Sequence, residues 1–179
     1  MNVHKLIIAG FGGQGVMIIG QMLAYAAMIE GREVTWMPSY GPEMRGGTAN
    51  CTVIISDRKI ASPIVTGATA VIAMNEPSLE KFQGFVMPGM DLFINTSIIS
   101  EKPKRTDVNV HDVDCIGIAN EMRNLKVSNM VMLGAINSVI EAVSFDSIKA
   151  VMQKTFAGSK SNLIEINMKA LNAWKELSA

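Results

Sequence analysis

The sequence predicts an α/β fold: one three-layer α/β/α domain with a mixed, mostly parallel sheet, a Rossmann-like start and C-terminal helices. Three observations lead there. Between Val3 and Met37, a short apolar run ends in glycines and passes into an apolar helical stretch and then a second strand-like segment. Further β-branched runs recur through the middle of the chain, and the last third has helical patterning throughout. The chain has 179 residues, a length that suits one domain spanning 1–179, because domains usually run to about 100–200 residues.

Taken in order, Val3 to Ala9 reads as a strand buried on both faces. Val16 to Glu30 follows as a helix that is apolar nearly all round, with Gly31 placed to end it. Glu33 to Met37 is the next strand, which predicts a βαβ unit with its right-handed crossover. Pro38 to Thr48 is loop. Ala49 to Ser56 alternates in character, and Asp57-Arg58-Lys59 predicts a hairpin turn into a short strand at Ile60–Ser62 that Pro63 stops. This antiparallel piece is what makes the predicted sheet mixed. Ala70 to Met74 is a buried strand, and Asn75, Glu76 and Pro77 supply a cap, an acid and a first-turn proline for a helix through Phe82. Asp91–Asn95 and Asp107–Val113 read as strands. Cys115–Asn124, Ser128–Val143, Phe145–Phe156 and Ser161–Leu177 read as helices, the last with a stripe of Leu163, Ile166, Ala170, Trp174 and Leu177.

Composition excludes several classes. Sixteen basic side chains balance 16 acidic ones, so the net charge is zero, which argues against nucleic acid or an anionic membrane as partner. Hydrophobic residues make up 49% and charged residues 18%, too apolar for a disordered chain. They also leave so few surface charges that part of the surface is expected to be covered by a partner. Two cysteines, Cys51 and Cys115, fall short of the four thiolates that an iron–sulfur cluster usually takes. They also form no disulfide framework, which points to a reducing cytoplasm. Cys51 lies on the apolar face of its strand, so both thiols are expected in the core. His4 and His111 lack metal-ligand spacing, and no metal site or catalytic residue is expected. No targeting segment is expected ahead of the first strand. The longest apolar stretch is broken by Gly20 and Gln21 and is shorter than the roughly 20 residues of a membrane span.

Nine of the 15 glycines lie between positions 10 and 47, around two loops that leave the C-terminal ends of predicted strands. In an open α/β sheet, ligands and partners are met at that edge. Gly10, Gly12 and Gly15 satisfy G-x-G-x-x-G between a strand and a helix, where free N–H groups and the helix dipole suit an anion. Two absences argue against a nucleotide. Trp36, Met37 and Pro38 stand where an NAD site usually carries an acid, and Val16 and Met17 stand where a P-loop needs Lys and Ser or Thr. Two readings stay open: a phosphate cradle, or glycines that only let the helix pack closely on the sheet. On the second loop, Glu43 and Arg45 either pair with each other or meet something arriving from outside; Arg45 suits a phosphate or carboxylate. Asn75 either caps its helix or also contacts a ligand at the same edge.

The run Gly10-Phe11-Gly12-Gly13-Gln14-Gly15, followed by Pro38-Ser39-Tyr40-Gly41-Pro42-Glu43-Met44-Arg45-Gly46-Gly47-Thr48-Ala49-Asn50, resembles the γ subunit of 2-oxoacid:ferredoxin oxidoreductases. The likeness continues through Ser62-Pro63, Ala73-Met74-Asn75 and Asn95-Thr96-Ser97. It is nearest to the 2-oxoglutarate and branched-chain 2-oxoacid (ketoisovalerate) members. The resemblance implies an enzyme that decarboxylates a 2-oxoacid on thiamine diphosphate, passes electrons through iron–sulfur clusters to ferredoxin, and transfers the acyl group to coenzyme A. This chain has no Gly-Asp-Gly element for thiamine diphosphate and magnesium and no cysteine array for a cluster. Those cofactors are therefore expected on α and β subunits, and on a ferredoxin-like δ subunit where one is present. The role implied for this chain is to close over the active region and help hold coenzyme A. Gly10, Gly12, Gly13, Gln14 and Gly15 would cradle the diphosphate, with Ser39, Tyr40, Arg45 and Asn75 nearby. No basic residue follows Gly15. The rival readings are a stand-alone NAD(P)- or flavin-binding oxidoreductase of Rossmann type, and a structural module whose loops only join subunits.

Overall fold

The structure, a computed structural model, describes residues 3–39, 48–156 and 162–177. Among them, six strands form one sheet: β1 (Val3–Phe11), β2 (Glu33–Ser39), β3 (Thr48–Ser56), β4 (Ala68–Ala73), β5 (Val86–Asn95) and β6 (Asn109–Val113), in spatial order β2-β3-β1-β4-β5-β6. The helices are α1 (Val16–Ile29), α2 (Glu76–Phe82), α3 (Cys115–Glu121), α4 (Ser128–Ile140), α5 (Phe145–Thr155) and α6 (Asn162–Leu177). The α/β class and the mixed, mostly parallel sheet are as the sequence predicts: β1, β4, β5 and β6 pair in parallel.

The source of the mixing differs from expectation. Ile60–Ser62 is not a strand; the chain after Ser56 is irregular as far as Gly67. Instead β3 lies between β1 and β2 and runs antiparallel to both. The β1–α1–β2 unit therefore returns to a position one strand away, and β3 fills the gap. A hairpin strand at Ile60–Ser62 would have needed an edge of β3, and β1 and β2 already occupy both. Val65 is buried and Ile60 packs against the sheet without pairing to it.

Alternation along the strands sorts the two faces. Leu6, Ile8, Cys51, Val53, Ile55, Ala70, Ile72 and Phe93 face a large core shared with α1, α3, α4, α5 and α6. Ile7, Ala9, Ile54, Val71, Ala73, Leu92 and Ile94 face a smaller core closed by Leu79 and Phe82 of α2 together with Val65, Val86 and Ile99. The layers are thus unequal, with five helices on one side and one short helix plus loops on the other. Leu6 to Ala9 is buried on both faces, as the continuous apolar run predicts.

α1 and α4 lie side by side and run the same way. At one end Gly15 meets Asn129; at the other, Ser144 N donates to Glu30 Oε1 at 2.7 Å and Arg32 Nη1 donates to the Ala142 carbonyl. α3 stops at Glu121, earlier than predicted, and α6 buries Asn167, Ala170, Leu171 and Ala173, while Leu163 stays largely exposed. No helix among the described residues is long and apolar enough to cross a membrane.

Candidate functional site at the sheet edge

Parallel pairing brings the C-terminal ends of β1, β4, β5 and β6 to one edge of the sheet. Antiparallel pairing adds the end of β2 and the start of β3, because Ser39 pairs with Asn50 and Gly10 with Ala49. The two glycine-rich segments singled out by sequence therefore leave neighbouring points of one edge. Tyr40 and Arg45 lie outside the described residues, as does Glu43. Ser39 is exposed at the last position of β2.

The turn is held from beneath by side chains. Gln14 Oε1 accepts from Phe11 N at 2.6 Å and from Asn75 Nδ2 at 3.4 Å, and Gln14 Nε2 donates to the Met74 carbonyl at 3.1 Å. Asn75 is fully buried; its Oδ1 accepts from Ser78 N at 3.0 Å, the N-cap that the sequence predicts. Asn95, also buried, donates from Nδ2 to the same Met74 carbonyl at 3.4 Å, and its Oδ1 has no partner among the described residues. Gln14 and Asn75 thus fasten the turn to the end of β4, which makes them supports of the loop's shape. Both were expected among the cradle residues; their polar atoms are engaged inside the protein. Further along the edge, Asp114 caps α3 through Gly117 N at 3.0 Å, and Ser97 Oγ hydrogen-bonds its carboxylate while accepting from Ile116 N.

The glycines have different duties. At Gly10 an added Cβ would stand 2.6 Å from Gln14 Oε1, 2.8 Å from Met74 Cβ and 2.9 Å from Val16 Cγ1, so this glycine serves close packing. Gly15 (φ +76) is hemmed in by Asn129, and its left-handed backbone starts α1 without a side-chain cap. Gly13 also has a positive φ, +95, but nothing lies within 4 Å of where its Cβ would be. Close packing therefore accounts for two of the three motif glycines, Gly10 and Gly15, and it does not account for Gly13, which stands outside the G-x-G-x-x-G positions. The exposed crest, Gly12 and Gly13, is carried in front of a helix of 14 residues whose first turn holds no acid. The first N–H groups of such a helix have no intrahelical acceptor and favour an anion. These residues fit a phosphate or diphosphate group: small side chains at the crest, donors behind it and no carboxylate in the first turn to repel it.

The thiols take no part. Cys51 and Cys115 are buried, as expected, and burial pushes the Cys51 thiol up to about 12 and the Cys115 thiol higher still. No group of three or more His, Cys, Asp and Glu that could hold a metal occurs among the described residues. His4 and His111 sit on different strands; His111 Nε2 lies 2.8 Å from Asp91 Oδ1 and its ring stacks on Phe93. Sequence reasoning passed over Asn129 because it stands in an apolar helical run, where a lone amide gives no motif signal.

A glycine turn and the two strand ends that flank residues 40–47 share one edge of a mixed sheet, which defines the molecule as an α/β protein of Rossmann-like start. Comparison with known families makes the class specific. Residues 5–176 match the pyruvate ferredoxin/flavodoxin oxidoreductase family, and the chain belongs to that family. It is 39% identical over 170 residues to the ketoisovalerate oxidoreductase subunit VorA of Methanothermobacter marburgensis, an alignment that takes in 94% of this chain and 35% of that protein. The chain thus spans about a third of the length of the VorA relatives it matches. It is 30% identical over 177 residues to the 2-oxoglutarate synthase subunit KorC of Methanocaldococcus jannaschii, covering 97% of this chain and 95% of that one. Among solved structures, the gamma subunit of a keto/oxoacid ferredoxin oxidoreductase from Geobacter sulfurreducens superposes with a TM-score of 0.83 at 26% identity, over 98% of this chain and 99% of that chain.

Proposed function

We propose that residues 1–179 act as one γ-type subunit of a thiamine diphosphate-dependent 2-oxoacid:ferredoxin oxidoreductase, and that the glycine turn receives the diphosphate of coenzyme A. The observation that carries this reading is the open crest at Gly13, set before the uncapped start of α1 and beside the ends of β2 and β3 that flank residues 40–47. Coenzyme A supplies the thiol that takes the acyl group; this chain binds and orients the carrier. Its backbone donors at Gly12, Gly13 and Gly15 meet the anionic oxygens, Gln14 fixes the turn's shape through the Phe11 and Met74 carbonyls, and Arg45 adds a cation from the second loop.

Thiamine diphosphate, magnesium and the iron–sulfur clusters belong in this reading to α, β and, where present, δ companions in the cytoplasm. The two buried thiols of this chain are placed as core residues and offer no ligand set. Relatives named for ketoisovalerate and for 2-oxoglutarate are both similar to this chain. The oxoacid is accordingly chosen by the companion subunits, and this chain serves the step common to both. A free-standing dinucleotide enzyme is not favoured, because Trp36, Met37, Pro38 and Ser39 fill the end of β2, where the ribose of NAD meets an acid in such sites.

Affinity purification of the tagged chain from its native cell tests the assembly. Thiamine diphosphate-binding and cluster-bearing chains are expected to come with it, and a chain that emerges alone would overturn the proposal. For the cradle, Gly13→Ala should raise the KM for coenzyme A in the assembled enzyme with the oxoacid KM unmoved.

A further inference from the structure

Asn129, at the second position of α4, reaches the glycine turn from behind. It is 6% exposed, and its side-chain amide has no hydrogen-bond partner among the described residues. Its Nδ2 is the nearest atom to the place a Cβ would occupy on Gly15, at 2.5 Å. Buried amides are seldom left unanswered in a native fold; a water or a ligand usually completes them.

The surroundings decide which kind of ligand. α1 and α4 run parallel, so both begin at this edge of the sheet. α4 continues directly from a 3-10 turn at Leu125–Val127, in which Asn124 Oδ1 accepts from Lys126 N and Ser128 N donates to the Leu125 carbonyl, whereas α1 has neither a side-chain cap nor an acid in its first turn. By contrast α2, α3 and α5 are capped by Asn75, Asp114 and Ser144. The uncapped N-terminus of α1 with the Asn129 amide beside it presents donors and partial positive charge, which suit the oxygens of a phosphate group.

Resting on the coenzyme A reading above, we propose that Asn129 Nδ2 donates to a non-bridging phosphate oxygen of the diphosphate ester at the turn. The phosphate then sits between the N-terminus of α1 and the Asn129 side chain. Asn129 would be a binding residue supplied from more than 100 positions beyond the glycine motif.

Asn129→Asp is the discriminating variant. It keeps the shape of the side chain, and its carboxylate complements the helix N-termini while repelling the diphosphate. Calorimetric titration of the assembled complex with coenzyme A, and separately with inorganic pyrophosphate, should show affinity at least about tenfold weaker for both ligands. The melting temperature of the chain should stay equal to wild type or rise. Coenzyme A affinity equal to wild type in Asn129→Asp would overturn the inference. If that variant fails to assemble, Asn129→Ala reads the same contact without a charge: weaker binding supports the inference and unchanged binding sinks it. Gly13→Ala in the same titrations separates the two ideas. If it weakens coenzyme A binding while Asn129→Asp does not, only the role of Asn129 is lost. If neither changes binding, the cradle reading falls as well.

Discussion

Gly13 and Gly15 are two residues apart and both have left-handed backbones, yet alanine should cost them different amounts. At Gly13, with φ +95 and no atom within 4 Å of the new Cβ, the penalty is backbone strain alone, about 1–2 kcal/mol. At Gly15, with φ +76, the same strain is joined by contacts of 2.5–2.8 Å with the Asn129 side chain. Overpacking of that kind adds about 1–3 kcal/mol, for a sum of about 2–5 kcal/mol if the two terms add. For a chain of this size, each kcal/mol moves the midpoint by about 2–4 °C. Gly13→Ala should therefore melt about 2–8 °C below wild type and Gly15→Ala clearly lower. Urea unfolding of the full chain provides the assay, with the midpoint shifting at constant m-value. The reasoning is refuted if Gly13→Ala is as destabilising as Gly15→Ala, because the crest would then be packed against something. Pairing each variant with Asn129→Ala sharpens the test. Removing the Asn129 side chain should relieve part of the Gly15→Ala penalty and none of the Gly13→Ala penalty.

Two further predictions concern groups away from the turn. Burial, and after it the Arg32 charge, hold the His4 imidazole below its ordinary value of 6.5, with Asp57 opposing. Because the unfolded chain binds that proton more readily, His4 contributes stability that is present above pH 6.5 and is lost as pH falls through the lowered folded value. Unfolding measured from pH 7.5 to 5 should show a decline that is shallower in His4→Gln; identical slopes would contradict the assignment. For the thiols, Cys51 and Cys115 should react with a disulfide reagent at neutral pH only as fast as the chain opens, and both should react at once in denaturant. Rapid labelling of either in the native protein would show that it is not the core residue described here.

Much of the fold lies in local pattern. Val3 to Ala9 has the continuous apolar character of a strand covered on both faces, and Asn75-Glu76-Pro77 carries a helix start that forms as written. The position of β3 does not lie in local pattern. Alternation in Ala49–Ser56 shows that one face is buried but says nothing about which neighbours the edges take. Those neighbours are β1 and β2, and their presence leaves no edge for a strand at Ile60–Ser62. At the site, G-x-G-x-x-G marks the turn without sorting its glycines. Gly10 and Gly15 are fixed by Met74 and Asn129, residues 64 and 114 positions away (74 − 10 and 129 − 15). The latch from Gln14 to the Met74 carbonyl has the same long-range origin, so the motif alone does not show that this side chain fastens the turn.

The cradle itself is tested most directly by a structure of the assembled enzyme with coenzyme A bound. If the turn serves as described, the diphosphate lies at Gly12–Gly15, with its oxygens within about 3.2 Å of backbone nitrogens at the start of α1. A diphosphate bound wholly on companion subunits, with the Gly13 crest against protein and no ligand atom in reach, would contradict it.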